Sequence, residues 1–234
     1  MTTLLIDLAV IGVIAFCVWR GFKNGLIRGV FGVVALILSL FIANIAASAY
    51  SDEAKNILTP FVGGMIDSTI TDMAEDGVEY QALAHDHEID DADFGTAYMA
   101  LRQIGLPESA AVRIAEKSLE VEEDEQFGYF SDVIADRLSS ALSFVAVFGI
   151  AFLLLAIIFA VVGNLIGFVF ALPGLKLVDT IAGSALGLIK GIIIVYTIAV
   201  IIRYFGLIVH STIEGTAILR YIVNNNPIAA LLGI

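Results

Sequence analysis

LSSALSFVAVFGIAFLLLAIIFAVVGNLIGFVFALPG, residues 138–174, runs for 37 positions without a charged side chain. About 20 helical residues, at about 1.5 Å each, cross the roughly 30 Å hydrocarbon core of a bilayer, so a run of this kind reads as transmembrane. Residues 29–50 and 191–202 are two further uncharged apolar runs, and residues 2–19 carry a single charge. Together these stretches predict an all-α, polytopic membrane protein.

The first span is expected over residues 4–19, ending at Arg20, and the second from near Asn24 to about Tyr50. As one helix, residues 138–174 would extend about 55 Å, well beyond the hydrocarbon core. A break is therefore expected near Gly163-Asn164, with residues 167–173 interfacial or re-entrant. A fourth span is expected over about 191–209. Arg20, Lys23 and Arg28 crowd the first short connection, and Lys176, Asp179 and Lys190 are assigned to the second cytoplasmic turn. Short loops rich in Lys and Arg stay cytoplasmic. Four transmembrane helices in two Gly-rich hairpins follow, with both termini and a helical acidic insertion extracytoplasmic. The divisions are a first hairpin (1–50), the insertion (51–136), a second hairpin (137–209) and an interfacial tail (210–234). Ala47-Ser48-Ala49 resembles a signal-peptide cleavage site, but it follows two apolar segments, and residues 2–19 lack a basic start.

The chain is 59% hydrophobic and 15% charged, against about a quarter charged in soluble domains. Its net charge of −12 is unevenly spread: residues 51–136 hold 21 of the 24 acidic and 4 of the 12 basic side chains, a net of −17. The remaining 3 acidic and 8 basic residues give +5. An aqueous segment this acidic repels phosphate, so nucleic acid is not an expected partner. Cys17 is the single cysteine, inside the first apolar run, which rules out an intramolecular disulfide and a Cys-based metal site.

Residues 21–29 and 183–191 share the pattern G-x-x-x-G-L-I-(basic)-G, supplied by Gly21, Gly25, Arg28 and Gly29 and by Gly183, Gly187, Lys190 and Gly191. Glycines four apart line one helix face and admit a neighbouring backbone. The motifs are expected to open two apolar helices of a parallel repeat, each basic residue snorkelling one turn in. Asp7 near the start of the first span, Arg20-Gly21-Phe22 with Gly25 and Arg28, and Leu172-Pro173 followed by Val178-Asp179, Gly183, Gly187 and Lys190-Gly191 resemble the colicin V production protein family. The resemblance covers residues 4–50 and about 138–206. It implies a small bacterial inner-membrane protein with four spans, linked to colicin V production or export, with no defined catalytic residue. The segment 51–136 is longer and more acidic than the family implies.

Asp7 lies as far before Arg20 as Arg203 lies after Lys190, about 20 Å along a helix, so the two share a depth. Charges there usually face a partner. An Asp7–Arg203 pair between the first and fourth spans is one reading; the other has both reaching the outer headgroups. Asp179 is expected to cap the fourth helix, and Asn164 is the other intramembrane polar residue. In the insertion, Ile57, Phe61, Met65, Ile66 and Ile70 form a stripe at helical spacing, and a Pro107-led helix is expected to reach Glu120. These helices are expected to fold against the spans, because few large apolar residues are available for a separate core.

His85, Asp86, His87, Glu88, Asp90, Asp91 and Asp93 are loosely spaced like a calcium loop. The expected glycine is Asp91, however, and the twelfth position is Ala97, so a solvated acidic loop is the reading. The run 122–125 reads likewise. In the tail, Ile213, Ile218, Leu219, Ile222 and Val223 form one side of an amphipathic helix, which is broken by residues 224–227.

No nucleophile, metal or phosphate-loop motif occurs, so neither enzyme activity nor a cofactor is expected. The leading expectation is a membrane scaffold or accessory component for toxin production or export and envelope homeostasis. It would act in the lipid bilayer by self-association or by packing with other membrane proteins. The alternative is a small transporter or channel with Asp7, Asn164 and Arg203 lining a midplane site.

Overall fold

The computed structural model describes residues 2–75, 91–106, 108–120, 130–169, 176–205 and 215–232. Every regular element among them is helical: α1 (Thr2–Glu75), α2 (Asp91–Gln103), α3 (Glu108–Leu119), α4 (Phe130–Val169), α5 (Lys176–Tyr204), α6 (Ala217–Asn224) and α7 (Pro227–Leu232). Three stretches, Leu4–Met73, Phe130–Asn164 and Asp179–Tyr204, are long and apolar enough to cross a membrane, yet only 22–33% of their apolar windows is buried within the protein. Leu8, Phe16, Phe41, Leu153 and Ile157 are each more than half exposed. Lipid is the solvent that such a surface fits, because helices satisfy their own backbone and leave apolar side chains to face the acyl chains. The chain is a multi-pass membrane protein.

α1 is not one straight rod. Gly25, at φ 74° and ψ −178°, interrupts it, a conformation that costs glycine little and other residues more. A first arm ends at Asn24 and a second starts at Leu26. α5 lies along both: Gly183 and Gly187 touch the backbone at Gly21 and at Cys17–Val18 on the first arm, while Leu186 and Lys190 lie against Gly29 and Gly32 on the second. Both arms therefore leave Gly25 in the direction that α5 takes from Asp179, and α1 folds back on itself.

Two expected helix limits are corrected. α4 continues through Gly163-Asn164 to Val169. The glycine serves instead as a packing position, where an added Cβ would lie 2.8 Å from the Phe31 ring. α5 starts at Lys176 rather than near Gly191, so Asp179 and Lys190 lie inside it. Lys190 is thus about 16 Å along the helix from Asp179, not in a turn.

The chain divides into two compact units. The first comprises Met1–Ser48, Val147–Ile201 and Ser211–Gly233; the second comprises Ala49–Ala146, Ile202–His210 and Ile234. In the second unit, Ile66, Leu101, Phe130, Ile134 and Leu138 are fully buried. Large apolar residues from α1 and α4 thus complete a core that α2 and α3 could not form alone.

α2 ends in a Schellman turn. Gly105, at φ 103°, donates to the Arg102 carbonyl, and Leu106 donates to the Leu101 carbonyl, both at 3.0 Å. Of the expected stripe on α1, Ile66 and Ile70 are buried together with Val62 and Met73, whereas Ile57 and Phe61 are 69% and 75% exposed. The buried face is one residue over from the expected one. Residues 85–90, Pro107, 122–125, 172–174 and 211–214, on which other sequence expectations fall, lie outside the described residues.

Candidate functional site: a glycine seam and its carboxylate caps

Within the first unit the two glycine motifs meet each other. A Cβ on Gly21 would collide with the Gly183 carbonyl and lie 2.9 Å from Gly187 Cα; one on Gly183 would lie 2.5 Å from the Gly21 carbonyl and 2.9 Å from the Gly25 backbone. On Gly187 it would collide with the Cys17 carbonyl, and on Gly191 it would sit 3.1 Å from Cys17 Cβ. Gly29 faces the other side of α5, against Leu186. Backbone packs on backbone, which only small residues allow. The expectation that each motif opens a helix is corrected for the second, which lies inside α5. The first motif bends at Gly25, the second is straight helix, and each is the other's packing surface.

Gly191→Cys is expected to form a disulfide with the native Cys17 under mild oxidation, since the two Cβ positions are close to disulfide range. A mobility shift on non-reducing gels that disappears in Cys17→Ala/Gly191→Cys checks this. Failure to cross-link under oxidation would contradict the first arm's register on α5.

The break at Gly25 creates a new helix start, with N–H groups that have no partner inside the helix. Asp179 answers one of them: its Oδ1 accepts from Leu26 N–H at 2.7 Å. Its carboxylate also occupies the space that a Cβ on Gly25 would need. Asp179 lies in the first turn of α5, so the positive ends of two helices converge on one carboxylate. Sequence reading expects it to cap its own helix; the bond it makes here caps the helix start across the corner.

Asp7 plays the same part for α6, accepting from Ala217 N–H at 3.2 Å and Leu219 N–H at 3.3 Å. Thr216, at the N-cap of α6, makes no side-chain capping bond. Asn226 fastens α7: its amide donates to the Tyr196 carbonyl at 2.9 Å, while its oxygen accepts from Ile228 and Ala229. Buried Leu219, Ile222 and Val223 complete the docking of the tail. Asn226-Pro227 is a cap followed by a proline at the first helical position, a legible signal that sequence reading took only as a break.

Around the corner, exposed Arg20 and half-exposed Arg28 accompany Lys23, whose Nζ lies 4.0 Å from the centroid of the Trp19 ring. A tryptophan beside cations suits the bilayer interface. Of the expected midplane residues, Asp7 is occupied by α6 and Asn164 is exposed on α4. Arg203 is half-buried in the second unit, in the last turn of α5, where a cation meets the negative helix end.

The second unit holds a polar groove of about 540 Å³ lined by Asp52, Lys55, Asn56, Thr59, Pro60 and Asp136. Lys55 and Asp136 pair across it at 2.7 Å. Pro60 lacks the N–H that would have bonded the Asn56 carbonyl in a regular helix. One and two turns along α4 from Asp136, the buried hydroxyls of Ser139 and Ser143 have no hydrogen-bond partner among the described residues. Next to Asp136, Arg137 donates to the carbonyls of Lys117 at 3.2 Å and Glu120 at 2.7 Å, closing the C-terminal end of α3.

The helices, the seam and the two caps define a class: a polytopic helical membrane protein whose long helices are clasped at a glycine corner. The chain belongs to the colicin V production protein family, whose sequence profile matches residues 6–74 and 125–227. The match takes in nearly all of the second arm of α1 and most of the tail, further than the sequence resemblance extended, and leaves α2 and α3 outside it. No curated protein and no solved structure matches the chain.

Proposed function

We propose that this protein is a non-enzymatic scaffold or accessory component of the bacterial inner membrane. In this reading it supports toxin production or export and envelope homeostasis by holding partner membrane proteins, or further copies of itself, against its lipid-facing helices. The observation that carries the reading is the seam of Gly21, Gly183 and Gly187. It spends the helix–helix interface of the first unit on tight backbone packing, and leaves a broad apolar exterior for association.

The reading has four crossings: the two arms of α1, α4 and α5. The corner at Gly25, with Arg20, Lys23 and Arg28, faces the cytoplasm, and both termini and the acidic segment face outward. One observation favours a second reading, solute handling: the groove at Lys55 and Asp136, with the buried hydroxyls of Ser139 and Ser143 further along α4.

Topology is tested by single cysteines at Lys23, Asp52, Glu116 and Arg220, all exposed, on a Cys17→Ala background in intact cells. An impermeant thiol reagent is expected to label all but the Lys23 position. Labelling at that position alone would invert the protein and move its partners to the cytoplasm.

A further inference from the structure

Lys190 is the one cation placed well inside a membrane-crossing helix of the first unit. Two measures fix its depth. Its Nζ would lie 3.4 Å from a Cβ on Gly32, and Gly32 is seven residues from Gly25, about 10 Å along the second arm. Lys190 Cα is about 16 Å along α5 from Asp179, and helical side chains lean toward the N-terminal end, which returns the amine to about the same level. The absence of a side chain at Gly32 makes the space that the amine occupies.

Among the described residues this amine has no hydrogen bond and no carboxylate partner. The nearby carboxylate that the corner supplies, Asp179, is already bonded to Leu26. Arg28 stands one turn from Gly32 on the same face of the second arm, toward the corner. Leu188, Ile189 and Ile192, on the other faces of α5 at this level, are each about two-fifths exposed (39–45%), as lipid-facing residues are.

We infer that the space beside Gly32, between the second arm of α1 and α5, binds the phosphate of an anionic phospholipid, with Lys190 and Arg28 as its cationic partners. A charge at this depth requires a counter-charge, and basic pockets between membrane helices hold anionic headgroups. The lipid-facing side chains of α5 at the same level favour a phosphate that arrives on acyl chains over one in solution. The site is independent of whether the protein acts as a scaffold or in solute handling.

The test uses the full chain purified in neutral detergent, with native mass spectrometry reading the retention of phosphatidylglycerol against phosphatidylcholine. The wild type is expected to retain phosphatidylglycerol preferentially. Lys190→Gln is expected to weaken retention about fivefold, the effect of one cation near an anionic headgroup. Lys190→Arg is expected to keep it, and Gly32→Leu to lose it with the amine still present. Arg220→Gln, an equal loss of charge in α6, is expected to change nothing. Retention in Lys190→Gln equal to wild type, with folding verified by circular dichroism, overturns the site. So does an equal loss in Arg220→Gln, which would mean attraction by net charge alone. Competition by millimolar inorganic phosphate would overturn the lipid assignment and leave a free-anion site.

Discussion

Gly21→Leu and Gly187→Leu are each expected to lower the unfolding midpoint of the detergent-purified protein by about 6–12 °C. At both positions the atoms that a new side chain meets are backbone: the Gly183 carbonyl and Gly187 Cα in one case, the Cys17 carbonyl and Val18 Cα in the other. A backbone cannot rotate away as a side-chain tip can, so the helices themselves must separate. Overpacking costs about 1–3 kcal/mol where side chains give way, and the upper end applies here. For a chain of this length each kcal/mol moves the midpoint by about 2–4 °C. Gly12 is the internal control, on the same arm with nothing within 4 Å of a Cβ; Gly12→Leu is expected to stay within about 2 °C of wild type. An equal drop at Gly12, or none at the two seam positions, would show that the seam does not hold the helices together.

The second large effect is expected at the corner. Asp179→Ala removes the part-buried acceptor of the Leu26 N–H and withdraws a negative charge from two helix starts. Lost caps and orphaned buried donors each cost about 1–2 kcal/mol. Asp179→Asn keeps an acceptor oxygen and is expected to lose less. Gly25→Ala suffers twice, from its positive φ and from contact with the Asp179 carboxylate. In a double-mutant cycle the pair Gly25→Ala/Asp179→Ala is therefore expected to be less destabilised than the two single losses added together, because the collision is counted once in the singles and is absent from the double. Strict additivity would mean that the carboxylate and the corner act independently.

The membrane character and the two glycine motifs were legible because they are local: an uncharged run and a nine-residue pattern can be read without knowing what lies opposite. Partners were not. Asp7 was recognisable as a costly charge and Asp179 as a helix cap, but their hydrogen bonds reach donors 212 and 153 positions away, and nothing local marks Leu26 or Leu219 as the recipient. The depth of Lys190 was misread for a related reason. Locating spans by uncharged runs starts a helix after its last charge, whereas α5 carries Asp179 and Lys190 within it. On α1, residues 57, 61 and 65 and residues 62, 66 and 70 are adjacent stripes with the same period, and periodicity alone does not choose between them. The groove at Lys55 and Asp136 was missed altogether, since its two charges lie near opposite ends of the insertion.

The cap on Leu26 also sets a timetable. Asp179 is made 153 residues after Leu26, so at roughly 5–20 residues per second the ribosome needs about 8–30 s to supply it. During that interval the two arms of α1 are already made, with their bend unlatched and their glycine face bare. Newly made protein passes through a stage in which α1 is complete but unclasped, its glycine face open to any helix that can offer glycines and a carboxylate. The arrival of α5 ends that stage, so the last long helix to be synthesised fixes the shape of the first.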